Sequence, residues 1–227
     1  MSNGKTGKMG ETGHETIDVT VTPLERQLRR VVLHLVPLVP ERVTPNQVTV
    51  VSGLMGVAGG LCYVLADHGR GWLLAAAAAI LLHLVLDVLD GCIARARDKK
   101  SDLGYFLDQF LDLVAFVALM AGIGLSAFAR FEIAILAALL YAINLTIILH
   151  SIQLCGKWVF PALGPSETLA ILIGLTLVTW AVPGPVAAPF GLPLTCLDIA
   201  FMIGLSLGVV ETTAMSLRLI ATLARRR

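Results

Sequence analysis

Hydrophobic residues fill six long segments of this chain, and most polar residues lie in the stretches between them. The segments run approximately over 46–66, 71–94, 105–127, 131–152, 167–182 and 196–221. Each approaches the roughly 20 residues that an α-helix needs to cross a bilayer. The fifth is the shortest, and a Pro- and Gly-rich stretch at 182–193 predicts a loop after it. The pattern therefore predicts an all-α polytopic membrane protein with six transmembrane helices within a domain at 41–227.

The stretch before the first apolar segment divides into two parts. Residues 1–22 lack apolar periodicity and predict a flexible cytoplasmic tail. Residues 23–40 predict an amphipathic membrane-surface helix that starts after a Thr22 N-cap. Its apolar face is predicted to hold Leu24, Leu28, Val31, Val32 and Leu35, and its polar face Glu25, Arg26, Arg29 and Arg30.

Composition and charge agree with a membrane protein and set its orientation. Of the 227 residues, 56% are hydrophobic and only 15% are charged, which excludes an ordinary cytosolic globule. The net charge of +1 argues against a nucleic-acid partner. Alternate loops leave only Arg70 and Arg130, two of the 17 basic residues, on one side. The positive-inside rule therefore places both termini in the cytoplasm, which requires an even number of spans.

Small residues at helical spacing predict close helix contacts. Gly56 and Gly60 form one GxxxG pair, and Gly204 and Gly208 form another. Such pairs let two helices approach closely, within one chain or between two chains. We expect membrane lipids as surroundings and a homodimer as the assembly.

Four aspartates stand where membrane helices usually avoid charge. Asp87 and Asp90 end the second span, and Asp108 and Asp112 open the third. Each pair shares one helical face, and a short loop would fold the two faces together at the cytoplasmic side. Carboxylates crowded in this way must take up protons or bind cations. Oxygen ligands favour Mg²⁺, with Mn²⁺ and Ca²⁺ as competitors.

The residues around these aspartates suit a diphosphate. Gly91 and Ala94 leave room beside the helix, Gly104 opens the facing helix, and Arg95 supplies a planar fork for phosphate. Small residues, an arginine and carboxylates that can bind a metal together indicate a diphosphate site.

The run DVLDGCIARARDKKSDLGYFLDQFLD at 87–112 resembles the signature of the CDP-alcohol phosphotransferases, D-x2-D-G-x2-A-R-x8-G-x3-D-x3-D, at all eight fixed positions. The resemblance implies an integral-membrane transferase of phospholipid synthesis. It would move a substituted phosphoryl group from a CDP-alcohol donor to a lipid or alcohol acceptor and release CMP. The segment TPNQVT at 44–49 resembles another feature of this family.

The resemblance also implies roles for individual residues. Asp87, Asp90 and Asp108 would bind Mg²⁺ (or Mn²⁺), with two ions expected, and Asp112 would be both metal-associated and the general base. The nucleotide pocket would be formed by Gly91, Ala94, Arg95 and Gly104. Asn46 and Thr49, whose segment lies at the same membrane face, and Ser101 are further candidates for contact with the nucleotide.

Two further polar residues are candidates for acceptor binding. His83 lies one turn before Asp87, and Glu167 opens the fifth span within GPSE, which resembles the GPTE segment of choline and ethanolamine phosphotransferases. Only Lys157 adds positive charge nearby, which favours a small-headgroup CDP-alcohol donor and a diacylglycerol-type acceptor. The alternative is a CDP-diacylglycerol donor with a polar alcohol such as inositol phosphate, glycerol phosphate or serine.

Two other protein classes also use intramembrane carboxylates. An aspartate-rich membrane prenyltransferase typically carries two separated motifs on more spans, whereas this chain has one contiguous motif. A divalent-cation transporter would place its carboxylates near the bilayer midplane, preferably in repeated halves. Both are remote alternatives.

Overall fold

The computed structural model describes residues 22–155 and 164–225, which form seven helices and no strand. The predicted tail at 1–22 therefore lies outside the described residues except for Thr22. Short 3₁₀ turns follow the first, second and sixth helices, at Val36–Leu38, Ala66–His68 and Pro189–Gly191. The helices are α1 (Pro23–Leu33), α2 (Pro45–Leu65), α3 (Gly71–Ala96), α4 (Asp102–Leu125), α5 (Phe131–Cys155), α6 (Pro165–Ala181) and α7 (Cys196–Ala224).

The predicted all-α membrane architecture is confirmed. Five helices are long and apolar enough to cross a bilayer, namely α2 with its following 3₁₀ turn, α3, α4, α5 and α7. The apolar helix α6 has 17 residues and extends about 25 Å, one turn short of a full span. The short fifth segment of the sequence is therefore also the short helix of the fold.

Hydrogen-bonding residues at the helix ends explain why several spans begin where they do. Thr44 and Gln47 form a capping box at the start of α2, with Pro45 in the first turn. Thr195 and Asp198 form another at the start of α7, and Asp198 also accepts from the Arg130 backbone N–H at 2.7 Å. The buried Asp198 carboxylate thus joins the start of α7 to the loop before α5.

The core is a tight packing of α2 against α3 and α4. A Cβ added at Gly56 would lie 2.6 Å from the Ala115 side chain, and one at Gly60 would lie 2.5 Å from the Ala118 carbonyl. The predicted contact at this GxxxG pair is therefore confirmed. The other pair differs, because Gly208 packs on Leu140 while a Cβ at Gly204 would meet no atom of the described residues within 4 Å. Gly204 borders a cavity and not a helix.

Helix α1 lies in the predicted range but presents its faces differently. Val32 is buried, whereas Val31 is 66% exposed and Leu35 is 37% exposed. Glu25 and Arg29, predicted on an outward polar face, are half-buried and line an internal cavity. The buried face of α1 is thus rotated away from the purely apolar face that the sequence predicts. The reason is that α1 packs beside a polar site as well as beside a hydrophobic core.

Arg97, the residue after α3, ties the linker between α1 and α2 to the C-terminal end of α3. Its guanidinium donates to the carbonyls of Val39 at 2.6 Å and Val43 at 2.8 Å, and more weakly to Pro40 at 3.4 Å. A planar fork can serve several carbonyls at once, which a single ammonium cannot. Arg97 therefore fixes where α1 sits relative to α3.

Replacing Arg97 with glutamine is expected to lower the thermal midpoint in detergent by about 5 °C. The substitution leaves partly buried carbonyls without donors, at a cost of about 2 kcal/mol. Arg42→Gln in the same linker is the matched control, because Arg42 is exposed. Equal midpoints for the two variants would mean that the clamp does not stabilise the fold.

Candidate active site

The end of α3 and the beginning of α4 bring three aspartates together. Asp87, Asp108 and Asp112 each offer a carboxylate oxygen, and these oxygens lie within 4.8 Å of one another. The geometry follows from sequence spacing, since Asp108 and Asp112 are one turn apart on α4 and the short connection 97–101 folds α4 back beside α3. All three side chains are half-buried.

This cluster fits a divalent cation. Two unit negative charges 4.8 Å apart repel by about 3 kcal/mol at an effective dielectric of 20. Oxygens on opposite sides of one Mg²⁺ lie about 4.2 Å apart, because each bond is about 2.1 Å. Small side-chain rotations would therefore close the cluster around an ion. The all-carboxylate donor set suits a hard cation better than zinc or copper.

Asp90 lies apart from the three clustered carboxylates. Its side chain is only 5% exposed, and its carboxylate accepts a hydrogen bond from the Thr49 hydroxyl of α2. Thr49 is itself buried, and its hydroxyl also lies 3.1 Å from the Pro45 carbonyl. The structure therefore places Thr49 where it orients Asp90.

The small residues of the motif surround the same helix ends. The Arg95 guanidinium folds back over Gly91, where an added Cβ would lie 3.3 Å from both terminal nitrogens. Across from it, an added Cβ at Gly104 would lie 3.1 Å from Asn46 Oδ1 and from Ser101 Oγ. Gly91 and Gly104 thus leave the helix backbone uncovered by a side chain at the places where neighbouring polar groups approach it. Ser101 also caps α4 by accepting from the Gly104 N–H at 3.0 Å.

An open cavity of about 790 Å³ extends from the aspartates between the helices, and residues of its apolar part, such as Ile203 and Leu207, are exposed. Its polar end holds the four motif aspartates, Gly91 and Arg95, together with Glu25 and Arg29 from α1. Its apolar arm runs between α5, α6 and α7, where Leu140, Ile171, Ile203, Gly204 and Leu207 form part of the lining. Among described residues, Ala94, Gly104, Asn46, Thr49 and Ser101 are not part of that lining.

The two predicted acceptor residues occupy different places. His83 is buried and lines a small recess with Asp87 and Asp112, and its Nδ1 lies 2.9 Å from Ser52 Oγ. The Glu167 carboxylate oxygens are buried, and they find no hydrogen-bond partner within 22–155 and 164–225. Glu167 does not line the large cavity in the described structure, although Pro165, Ser166 and Thr168 beside it do.

Two parts of this site are not anticipated by the sequence motif. Tyr141 of α5 lines both the recess and the large cavity, and its ring stacks on Phe116 with centroids 4.2 Å apart. No local pattern marks Tyr141, because α5 approaches the aspartates only through the tertiary fold. The spacing of Glu25 and Arg29 could have indicated that they face inward, because oppositely charged residues at i,i+4 can share one helical face with Leu28 and Val32.

Residues 42–220 match the family described as CDP-alcohol phosphatidyltransferase. This range covers most of the chain and includes all eight signature positions. The chain belongs to this family. Its members are divalent-cation dependent, in agreement with the carboxylate cluster. The CDP-alcohol phosphatidyltransferase family also accounts for the integral membrane character of the helices.

Curated relatives match over the part of the chain that contains the motif. An archaetidylinositol phosphate synthase of Pyrococcus horikoshii is 31% identical over 94 residues, or 41% of this chain and 47% of the relative. A phosphatidylinositol phosphate synthase of Streptomyces avermitilis is 35% identical over 88 residues, or 39% and 34%. A bifunctional IPC transferase and DIPP synthase of Thermococcus kodakarensis is 36% identical over 96 residues, or 41% and 21%. The matches thus span less than half of each of these relatives.

Solved structures share the fold over nearly the whole chain. A Mycobacterium tuberculosis phosphatidylinositol phosphate synthase with CDP-DAG bound has a TM-score of 0.58 and 20% identity, and covers 87% of this chain and 93% of that one. The same enzyme in complex with manganese and citrate also has a TM-score of 0.58, at 19% identity, covering 86% and 88%. At this identity the likeness establishes the fold alone.

Proposed function

We propose that this protein transfers a phosphatidyl-type group from a CDP-diacylglycerol-like lipid to a polar alcohol and releases CMP. The observation that carries the proposal is an open cavity that joins a carboxylate cluster to an apolar arm between α5, α6 and α7. The named activities of the relatives support the lipid-linked donor, the alternative to a small-headgroup CDP-alcohol. The choline or ethanolamine preference inferred from GPSE has less support from them.

In this proposal the acidic residues divide into ligands and a base. Asp87, Asp90 and Asp108 would hold two Mg²⁺ ions, with Asp112 as a further ligand. When bound, the ions would neutralise the donor diphosphate and stabilise the departing CMP. Thr49 orients Asp90 by its hydrogen bond, so it would act on this site without touching the nucleotide.

Asp112 would take the proton of the acceptor hydroxyl. The acceptor oxygen would form a bond to the phosphorus that carries the lipid group, while the bond from that phosphorus to CMP breaks. The transferred proton would remain on the Asp112 carboxylate until it leaves for solvent. A base one helical turn from Asp108 can act on an oxygen held beside the cation, so orientation and proton removal would be supplied together.

The nucleotide would lie over the small residues of the motif. Gly91 and Gly104 leave the backbone accessible, and Arg95 would bind phosphate oxygens after leaving its position over Gly91. Ala94, Asn46 and Ser101 would complete the wall outside the large cavity.

The remaining sequence predictions take a place in this proposal. We expect His83 to contribute to acceptor binding from the recess that it lines with Asp87 and Asp112. We expect Glu167 to position the first turn of α6 beside the acceptor. The homodimer, the cytoplasmic termini and the cytoplasmic position of the site stay predictions.

CMP release from purified protein with Mg²⁺ tests the donor. We expect turnover with CDP-diacylglycerol and a panel containing inositol phosphate, glycerol phosphate and serine. No turnover is expected with CDP-choline or CDP-ethanolamine plus diacylglycerol. The reverse result would restore the small-headgroup alternative, and no turnover with either donor would contradict the proposed reaction.

The apolar arm makes a separate prediction about acyl length. Gly204 borders the arm, and among residues 22–155 and 164–225 an added Cβ would meet none within 4 Å, so Gly204→Leu should fold normally while filling the arm. We expect this variant to raise KM at least tenfold for a dioleoyl donor and less than twofold for a dioctanoyl donor.

Gly174→Leu on α6 is the matched control for Gly204→Leu. Gly174 also has open space around it but does not line the cavity. The KM values of Gly174→Leu for both donors should equal those of the unmodified protein. Equal KM values for Gly204→Leu and the unmodified protein with the dioleoyl donor would show that no acyl chain occupies the arm.

A further inference from the structure

Helix α1 turns two charged side chains toward the catalytic cavity. Glu25, Leu28, Arg29 and Val32 form one stripe at helical spacing, and Val32 anchors it in the hydrophobic cluster with Val88. The Glu25 and Arg29 side chains are only 23% and 31% exposed, and they pair with each other. The neighbouring Arg30 is exposed on the other side of the helix.

The Glu25–Arg29 pair has little value as a stabilising contact. Pairs at i,i+4 on a helix contribute little to stability. Removing much of a guanidinium from water costs free energy that such a pair barely offsets. A charge held in this position is therefore better explained by a ligand that enters the cavity.

The charges of the cavity lining indicate what that ligand is. Among described residues of the lining, the basic side chains are Arg95 and Arg29, whereas Glu25, Glu211 and the four motif aspartates are acidic. In the proposed reaction, Arg95 and the cations serve the donor diphosphate. A second phosphate in the same cavity would still need a cation, and Arg29 provides one from a separate wall.

We propose that Arg29 binds the phosphate of a phosphorylated polyol acceptor, and that Glu25 orients the Arg29 guanidinium. This inference rests on the proposed function and specifies the acceptor class. A guanidinium has two edges that can each bind two oxygens. Glu25 accepts one hydrogen bond from Arg29 Nη2 on the same helix, which leaves donors of the guanidinium for phosphate oxygens in bidentate geometry. The Arg97 clamp holds α1 in the position that makes this possible.

Steady-state kinetics with three variants test this assignment, using inositol 1-phosphate and dioctanoyl CDP-diacylglycerol. Arg29→Gln is expected to raise the acceptor KM at least tenfold and to change kcat and the donor KM less than twofold. Glu25→Gln keeps a side-chain oxygen that can accept from Arg29 and so orient it, while removing a negative charge, so the acceptor KM should stay within threefold or fall. Arg30→Gln is the matched control and should change nothing.

The outcomes separate a ligand-binding role from a structural one. Equal increases in acceptor KM for Arg29→Gln and Glu25→Gln would show that only the pair matters and would overturn the assignment. An increase confined to the donor KM would place Arg29 on the donor phosphates and would also overturn it. Turnover with unphosphorylated alcohols alone would refute the acceptor class while leaving the proposed reaction intact.

A binding measurement tests Arg29 even if the protein does not catalyse the proposed reaction. If the unmodified protein releases no CMP, its thermal midpoint with Mg²⁺ and inositol 1-phosphate still tests Arg29. Stabilisation of the unmodified protein and of Arg30→Gln, but not of Arg29→Gln, would support a phosphate site. Equal responses of the three proteins would overturn it.

Discussion

Replacing Asp112 with asparagine is expected to lower the rate of CMP release about 10³-fold. The amide keeps the size of the side chain but cannot accept the proton of the acceptor hydroxyl, and loss of a general base typically costs 10²–10⁴ in rate. Asp87 and Asp108 would remain to hold a cation. Nucleotide binding, measured with CDP-diacylglycerol by the shift in thermal midpoint, should therefore persist.

Asp102→Asn is the matched control for this variant. Asp102 lies in the first turn of the same helix, is exposed, and does not line the cavity. Its rate should stay within twofold of the unmodified protein. An Asp112→Asn rate in the same range would mean that another group accepts the proton.

Asp87→Asn is expected to weaken divalent-cation binding about 100-fold. One carboxylate fewer removes an attraction comparable to the repulsion of about 3 kcal/mol between neighbouring carboxylates, and 1.4 kcal/mol corresponds to a factor of ten. The same loss relieves repulsion in the metal-free protein. The thermal midpoint of Asp87→Asn without metal should thus be higher than that of the unmodified protein. Added Mn²⁺ should raise the midpoint of the variant less.

This pair of opposite changes distinguishes a metal site from a structural role. A carboxylate that only stabilises the fold would lower the metal-free midpoint when replaced, and the Mn²⁺ response would stay unchanged. Asp102→Asn, which lies outside the cluster, should match the unmodified protein in both respects. Chelation with EDTA should abolish CMP release in the unmodified protein and excess Mg²⁺ should restore it.

The sequence predicts the helices because long apolar segments have few alternatives in a membrane. It also predicts the meeting of Asp87 with Asp108 and Asp112, since a short connection between two long helices forces them to be antiparallel. Both predictions depend on local spacing. The capping residue Thr22 follows for the same reason.

Features set by tertiary packing escape such reasoning. The orientation of α1 depends on the side chains of α3 and α6 that pack against it. The sequence pattern alone places Arg29 on the outward polar face, whereas in the structure Arg29 lines the cavity. Gly204 has the same spacing as Gly56, yet it borders open space because α7 does not pack closely there. Thr49 turns toward Asp90 only once α2 lies against α3. The recess lined by Tyr141 requires α5 as well.

Anomalous scattering from Mn²⁺ in crystals of the protein tests the central claim most directly. We predict one or two peaks within about 2.5 Å of carboxylate oxygens of Asp87, Asp108 and Asp112, lost in Asp87→Asn crystals grown in the same way. Absence of a peak at these oxygens, in protein that still releases CMP in a Mn²⁺-dependent manner, would contradict the account.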